Sequence, residues 1–406
     1  MLLLYNTGLK LYMLAIYIAS FFNSKAKLWL KGRKQVFKYE DKSIWFHFAS
    51  LGEFEQGRPV LEVLRRQHPD KRIIITFFSP SGYEIRKNTP LADAVYYLPL
   101  DSAKNAQKFI DTINPELAIF TKYEYWYHYF NELQKRNIPL YIISGIFRPE
   151  QIFFKWYGGL HRKMLSFVMR FFVQDEQSKQ LLQHINITNV TISGDTRFDR
   201  VWANAQKPKP LPEIAEFVNS RKVFIAGSTW PEDEKLLAGI IKDYPDWKFI
   251  IAPHEINEDR INNLIHLFPS NSAIKYSQFK SQISDLRSQI LIIDNIGMLS
   301  SLYQYGQIAY IGGGFGAGIH NTLEAAAFGL PVIFGPNYSK FKEARDIITL
   351  KAGFSIADKT ELAVAVNALV NDEQFYTYAH KQIKKYVEEH TGATHTIIEH
   401  ININNQ

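Results

Sequence analysis

The sequence predicts an α/β protein of two doubly wound, Rossmann-like domains facing across a cleft, preceded by a membrane-associated helix. Three observations carry this. Short apolar runs alternate with amphipathic helical stretches along most of the chain, the pattern of parallel sheets covered on both faces. The alternation breaks at Asn204–Ile214, where Pro208, Pro210 and Pro212 crowd together, and then restarts. A glycine-rich stretch, Ile308–Lys342, reads as strand, loop, helix and strand, the grammar of a phosphate-binding βαβ unit.

In chain order, residues 1–24 are mostly apolar and aromatic. Their uninterrupted part, Leu11–Phe22, is short of the roughly 20 residues a spanning helix needs, though with Leu2–Leu4 and a snorkelling Lys10 it could span marginally. Lys25, Lys27, Lys31, Arg33, Lys34 and Lys38 follow before the first acid, Glu40. Such a flank marks the cytoplasmic side and attracts anionic lipid, so these residues are expected to anchor the chain. A helix docked on the protein's own core is the alternative, and no small-x-small cleavage site follows Phe22.

The first domain is expected over residues 25–203, with strands at Ile44–Ala49, Arg72–Phe77, Ala94–Leu98, Leu117–Thr121, Leu140–Ser144, Phe171–Val173 and Val190–Ser193. Residues 204–220 read as a linker, because three prolines in five positions disfavour regular structure. The second domain, 221–385, carries apolar runs at Val223–Ala226, Lys248–Ala252, Gln289–Ile293, Ile308–Ile311 and Pro331–Phe334. Residues 386–406 read as a last helix and a polar tail.

Composition narrows the chemistry. With 46% apolar residues the chain can bury substantial cores, and without cysteine it has neither disulfides nor a thiolate nucleophile or metal ligand. The net charge of +7 suggests anionic partners. No basic block or nucleic-acid motif points to nucleic acid, and neither a His-x-x-x-His spacing nor a Gly-x-Ser-x-Gly elbow is present. No metal or cofactor is expected.

Four clusters follow expected strands, where open α/β sheets bind ligands. The first, His47 to Glu53, sets Ser50, Gly52 and Glu53 before a helix that carries Arg58. Glu53 is either a base or a residue that complements the helix dipole. The second crowds Tyr123, Tyr125, Trp126, Tyr127 and Tyr129 around Glu124. Aromatics there could stack on sugars, cover acyl chains or simply pack. The third, Gly227-Ser228-Thr229 before Pro231, suits an anion site or an ordinary N-cap, with His254 nearby in strand order. The fourth runs from Gly312 and Gly313 to His320, Asn321 and Glu324. It is neither a P-loop nor a dinucleotide fingerprint, and Asn321 with Glu324 also fits a capping box.

Together these clusters resemble the 3-deoxy-D-manno-octulosonic acid (Kdo) transferases of lipid A assembly. The resemblance runs from the N-terminal segment to about Gly392. It rests on Ala49–Glu53, Glu124-Tyr125-Trp126, Ser193–Asp199, Gly227–Thr229, Gly312-Gly313, His320–Glu324 and Gly335-Pro336 through Phe341-Lys342-Glu343. It implies a GT-B glycosyltransferase that moves Kdo from CMP-Kdo to a lipid A precursor with inversion, on the cytoplasmic face of a Gram-negative inner membrane. It also implies Glu53 as catalytic base and Glu124 as a second acid on the acceptor side, with Ser50, Gly52 and Arg58 near the acceptor. The donor pocket would comprise Gly227, Ser228, Thr229, His254, Gly312, Gly313, His320, Asn321, Glu324 and Lys342, with Glu324 near the ribose. The family's Pro-Arg-His appears here as Ala252-Pro253-His254. Alternatives are another GT-B enzyme using a UDP-sugar, transferase or epimerase, and a non-catalytic, membrane-tethered nucleotide-binding protein.

Overall fold

Two parallel sheets organise the described residues, which in this computed structural model are 1–33, 35, 37, 42–281, 288–401 and 403. The first sheet comprises β1 (Ser43–Phe48), β2 (Arg72–Phe77), β3 (Ala94–Tyr97), β4 (Pro115–Thr121), β5 (Leu140–Gly145), β6 (Arg170–Val173) and β7 (Val190–Ile192). Their spatial order is β3-β2-β1-β4-β5-β6-β7. The second comprises β8 (Val223–Thr229), β9 (Lys248–Pro253), β10 (Ala273–Lys275), β11 (Ile290–Ile292), β12 (Ile308–Ile311), β13 (Val332–Phe334) and β14 (Gly353–Ser355). Its order is β10-β11-β9-β8-β12-β13-β14. In each sheet the winding reverses once, between β1 and β4 and between β8 and β12. Such a switch point is where an open α/β sheet leaves a crevice beyond the carboxyl ends of its strands.

The first sheet is dry on both faces. Trp45, Ile74 and Phe120 enter one core, while Phe46, Phe48, Ile73 and Ile75 enter the other. This is the period-two alternation of a pleated strand buried on both sides.

Every apolar run named above falls on a strand. β10 and β14 were not expected. Both are three-residue outer strands whose residues are mostly half-buried, so no apolar run announces them.

The chain divides into two compact units, Met1–Asp199 with Thr391–Gln406, and Arg200–His390. The expected linker is not devoid of structure. The helix Thr196–Gln206 runs into it, and the helix Pro212–Val218 lies inside it. Pro212 starts that second helix, where a missing N–H costs nothing. The expected C-terminal tail likewise returns to the first unit. Asp199 accepts hydrogen bonds from the Gly392 and Thr394 amides and from Thr394 Oγ1, and Ile397 and Ile401 enter the core around Phe46. Residues 402 and 404–406 of that tail lie outside the described residues.

Candidate functional site

In the first unit the acid loops flank the β1/β4 switch point. β1 ends at Phe48, and the helix that follows is Leu51–Gln67, with Ser50 as its N-cap residue and Glu53 in its first turn. Ser50 Oγ donates to the Glu53 carboxylate instead of capping a backbone amide, so the hydroxyl holds the acid. Glu53 is half-buried and Gly52 exposed. A Cβ at Gly52 would meet nothing nearer than Ser50 Oγ at 3.8 Å, which leaves that side of the loop open. Arg58, one turn on, is engaged by Glu62 at 2.6 Å and Glu55 at 3.7 Å.

Across the switch point, β4 ends at Thr121 and Lys122 takes φ +60°. A non-glycine residue there is strained, and such strain concentrates at working sites. Glu124 follows, its Oε2 accepting from Trp126 Nε1 at 2.9 Å and lying 3.2 Å from His47 Nε2. The charge of Glu124 also reaches Tyr5, Tyr12 and Arg33 near the N-terminus. The aromatics expected around it divide: Tyr125, Trp126, Tyr127 and Tyr129 pack into or against the core, with Trp126 tilted on Phe78 at 5.0 Å between centroids, whereas Tyr123 stays exposed.

The N-terminal segment forms α1 (Leu2–Ala19) and α2 (Ser24–Gly32). By length and composition alone, α1 could cross a membrane. One face of α1 is bound to the unit. Tyr5 donates to Asp101 at 2.6 Å, Asn6 Oδ1 lies 2.7 Å from His128 Nε2, and Tyr12 packs on Trp29 and Phe78. Leu3, Leu4, Leu11, Leu14 and Ile18 form the opposite, exposed face, and Phe22 just beyond is 89% exposed. Of the expected basic flank, Lys25, Lys27 and Lys31 are exposed. Arg33 is not part of it. Its guanidinium lies 3.4 Å from the Trp29 ring centroid and donates to the Trp29 and Phe78 carbonyls. Lys34, Lys38 and Glu40 lie outside the described residues.

The second unit gathers its loops at the β8/β12 switch point. Ser228, at φ +54°, bulges the end of β8. Thr229 Oγ1 donates to the buried Glu234, which Arg260 pairs. The glycines pack backbone against backbone: a Cβ on Gly312 would stand 2.2 Å from Ser228 O, and one on Gly314 2.6 Å from Gly335. The Gly312 amide donates to Gly227 O at 2.9 Å, and the Gly313 amide donates to Asp233 at 3.0 Å. Asp233 also accepts from the Trp230 amide and Tyr310 O–H, so the Gly312 and Gly313 amides are both bonded within the unit. Burial raises the Asp233 carboxyl above the usual range, against the pull of those donors.

Beside this loop three rings cluster. His254 stacks on both Trp230 (4.9 Å) and His320 (4.4 Å), which are joined side by side by a hydrogen bond from Trp230 Nε1 to His320 Nε2 at 3.1 Å. An acceptor Nε2 means that His320 carries its proton on Nδ1. Burial, reinforced by His254, pushes His320 down to about 4, so the ring is neutral at physiological pH. Asn321 and Glu324 do not form the expected capping box. The helix is short, Leu323–Ala327, with Thr322 as its N-cap. Asn321 instead accepts from the Leu323 amide at 3.1 Å and donates to Glu324 at 3.2 Å. Burial raises the Glu324 carboxyl, and Arg200 opposes the shift. Thr322 Oγ1 is buried without a hydrogen-bond partner. Lys342 is exposed and paired with Asp346. Sequence reading gave no role to the Trp230 ring, Asp233 or His47, since only folding brings each to its partners.

Two Rossmann-like units, each with its candidate residues at a switch point, define a GT-B chain. A solved structure with the same fold is UDP-GlcNAc 2-epimerase from Neisseria meningitidis, with a TM-score of 0.61 at 14% identity over 88% of this chain and 99% of that one. Residues 24–200 match the family of 3-deoxy-D-manno-octulosonic-acid transferases (kdotransferase). A 3-deoxy-D-manno-octulosonic acid transferase of Rickettsia felis is 27% identical over 347 residues, 82% of this chain and 72% of that protein. A bifunctional glycosyltransferase/methyltransferase of Fusobacterium nucleatum is 25% identical over 365 residues, 86% of this chain. The alignment covers 55% of that longer relative. The resemblance to the Kdo transferases read from the motifs therefore stands over most of the chain.

Proposed function

We propose that the chain transfers Kdo from CMP-Kdo to a hydroxyl of an anionic lipid A precursor at a membrane surface. The observation that carries this reading is the first switch point: Glu53 sits in the first turn of a helix whose start is open at Gly52, and Glu124 follows the adjacent strand, three residues before Tyr127, whose amide donates to Tyr5 of α1. Glu53 would take the acceptor proton as the oxygen attacks the anomeric carbon. The bond from that carbon to the phosphate oxygen breaks as the new one forms, inverting the centre, and CMP leaves with the electron pair. The second unit would bind the donor, with the Trp230, His254 and His320 rings offering a stacking surface and Ser228, Thr322 and Glu324 offering polar contacts. Lys342 would have to leave Asp346 to take part.

Incubation of the purified chain with CMP-Kdo and a tetraacylated lipid A precursor should add the mass of at least one Kdo residue. Preferential turnover of a UDP-sugar would reject the donor assignment. Thermal protection by CMP with no product on any lipid acceptor would favour the non-catalytic alternative.

The anchor fits an in-plane arrangement. An 18-residue helix spans about 27 Å at 1.5 Å per residue, and the bonds from Tyr5 and Asn6 tie one side of α1 along the unit. Its exposed leucines would enter the interface, beside Lys25, Lys27 and Lys31 meeting anionic headgroups. Leu11→Glu with Ile18→Glu should cut co-sedimentation with anionic vesicles by at least about tenfold, given the apolar area withdrawn. The melting temperature should not change, since both residues are exposed. Undiminished vesicle binding would refute this role for α1.

A further inference from the structure

His47 is fully buried at the end of β1, and the proposed transfer makes no use of it. It pairs in register with Thr76 of β2 and Phe120 of β4, so it sits between the strand that leads to Glu53 and the one that leads to Glu124. Its Nδ1 lies 2.8 Å from Thr76 Oγ1 and its Nε2 3.2 Å from Glu124 Oε2. Thr76 Oγ1 accepts from Trp45 Nε1 at 2.8 Å. A neutral imidazole has one donor nitrogen and one acceptor, and an ionised carboxylate only accepts. One assignment satisfies the whole row without charging the ring. Trp45 N–H donates to Thr76, the Thr76 O–H donates to His47 Nδ1, and His47 Nε2–H donates to Glu124. The other candidate acceptor for that hydroxyl, Phe46 O, is farther away at 3.3 Å. Trp126 Nε1 donates to the same Glu124 oxygen, so Oε2 is held twice and Oε1 is left for a substrate.

We propose that His47 is a positioning residue for Glu124: a buried Trp45–Thr76–His47 row fixes the Nε2–H tautomer and so sets which carboxylate oxygen faces the acceptor. This rests on the reading that Glu124 serves the acceptor side. Side-chain isosteres provide the test. Glutamine can place an N–H where the ring has Nε2, whereas asparagine reaches only the Nδ1 position. His47→Leu should lower kcat by about 10- to 100-fold, as loss of an orienting hydrogen bond does. His47→Gln should recover to within about threefold of wild type and His47→Asn should not, with all three folded by thermal melt. In a Glu124→Gln background, His47→Leu should cost little further, because the two act as one unit. Full activity in His47→Leu, no advantage of Gln over Asn, or additive losses would overturn the proposal. If the wild-type chain transfers no Kdo, the functional reading falls, and the row is then read directly from the ¹⁵N spectrum of His47. A neutral ring protonated on Nε2 supports the row, and one protonated on Nδ1 overturns it.

Discussion

Glu53→Gln is expected to reduce transfer by about 10²- to 10⁴-fold, the contribution of a positioned general base. Glutamine keeps the size of the side chain and an oxygen that Ser50 Oγ can still address, so the loop should retain its shape. The donor is assigned to the second unit, which the substitution does not touch, so CMP-Kdo affinity should stay close to wild type. Single-turnover kinetics with isothermal titration of CMP-Kdo would separate the two effects. A purified variant turning over at the wild-type rate would remove Glu53 from the chemistry and leave it as a first-turn acid complementing the helix dipole, worth under about 1 kcal/mol.

Gly312→Ala should be the most damaging small substitution in the second unit. The added methyl would stand 2.2 Å from Ser228 O and 2.6 Å from Thr229 Cα, both backbone atoms of the neighbouring strand, which no rotamer change can move. Overpacking of this kind costs about 3 kcal/mol, which for a domain of this size corresponds to a fall of roughly 6–12 °C in melting temperature. Gly316→Ala is the control, since its nearest neighbour would be 3.7 Å away. Calorimetry showing equal melting for the two variants would contradict the packing role assigned to Gly312.

The strands were legible because parallel strands buried on both faces are written as nearly continuous apolar runs, as at Ile44–Phe48, broken only by His47, and Phe249–Ala252. Outer strands such as Ala273–Lys275 have no such signature, because an edge residue need not be apolar. The positions of Glu53 and Glu124 after β1 and β4 followed from the same pattern. Partners were not legible. Asp233 is a first-turn acid of its helix, and nothing local tells that the Gly313 amide, eighty residues on, is its partner. The glycine cluster is ambiguous for a related reason: glycine permits close approach, but the sequence does not say whether a ligand or another strand approaches. Pro212 shows the same ambiguity, since a proline stops a helix from within and starts one from its first turn.

The return of the chain from Thr391 to the first unit bears on the order in which the protein can be made. Ile397 and Ile401 emerge from the ribosome only after the entire second unit, yet they complete the core around Ile44, Phe46 and Tyr141. During translation, the half made first is therefore left with an unfilled hydrophobic groove, while the half made later, Arg200–His390, is continuous and can close without waiting. The vulnerable interval in biogenesis then belongs to the N-terminal half, and a nascent-chain chaperone would have most to protect there.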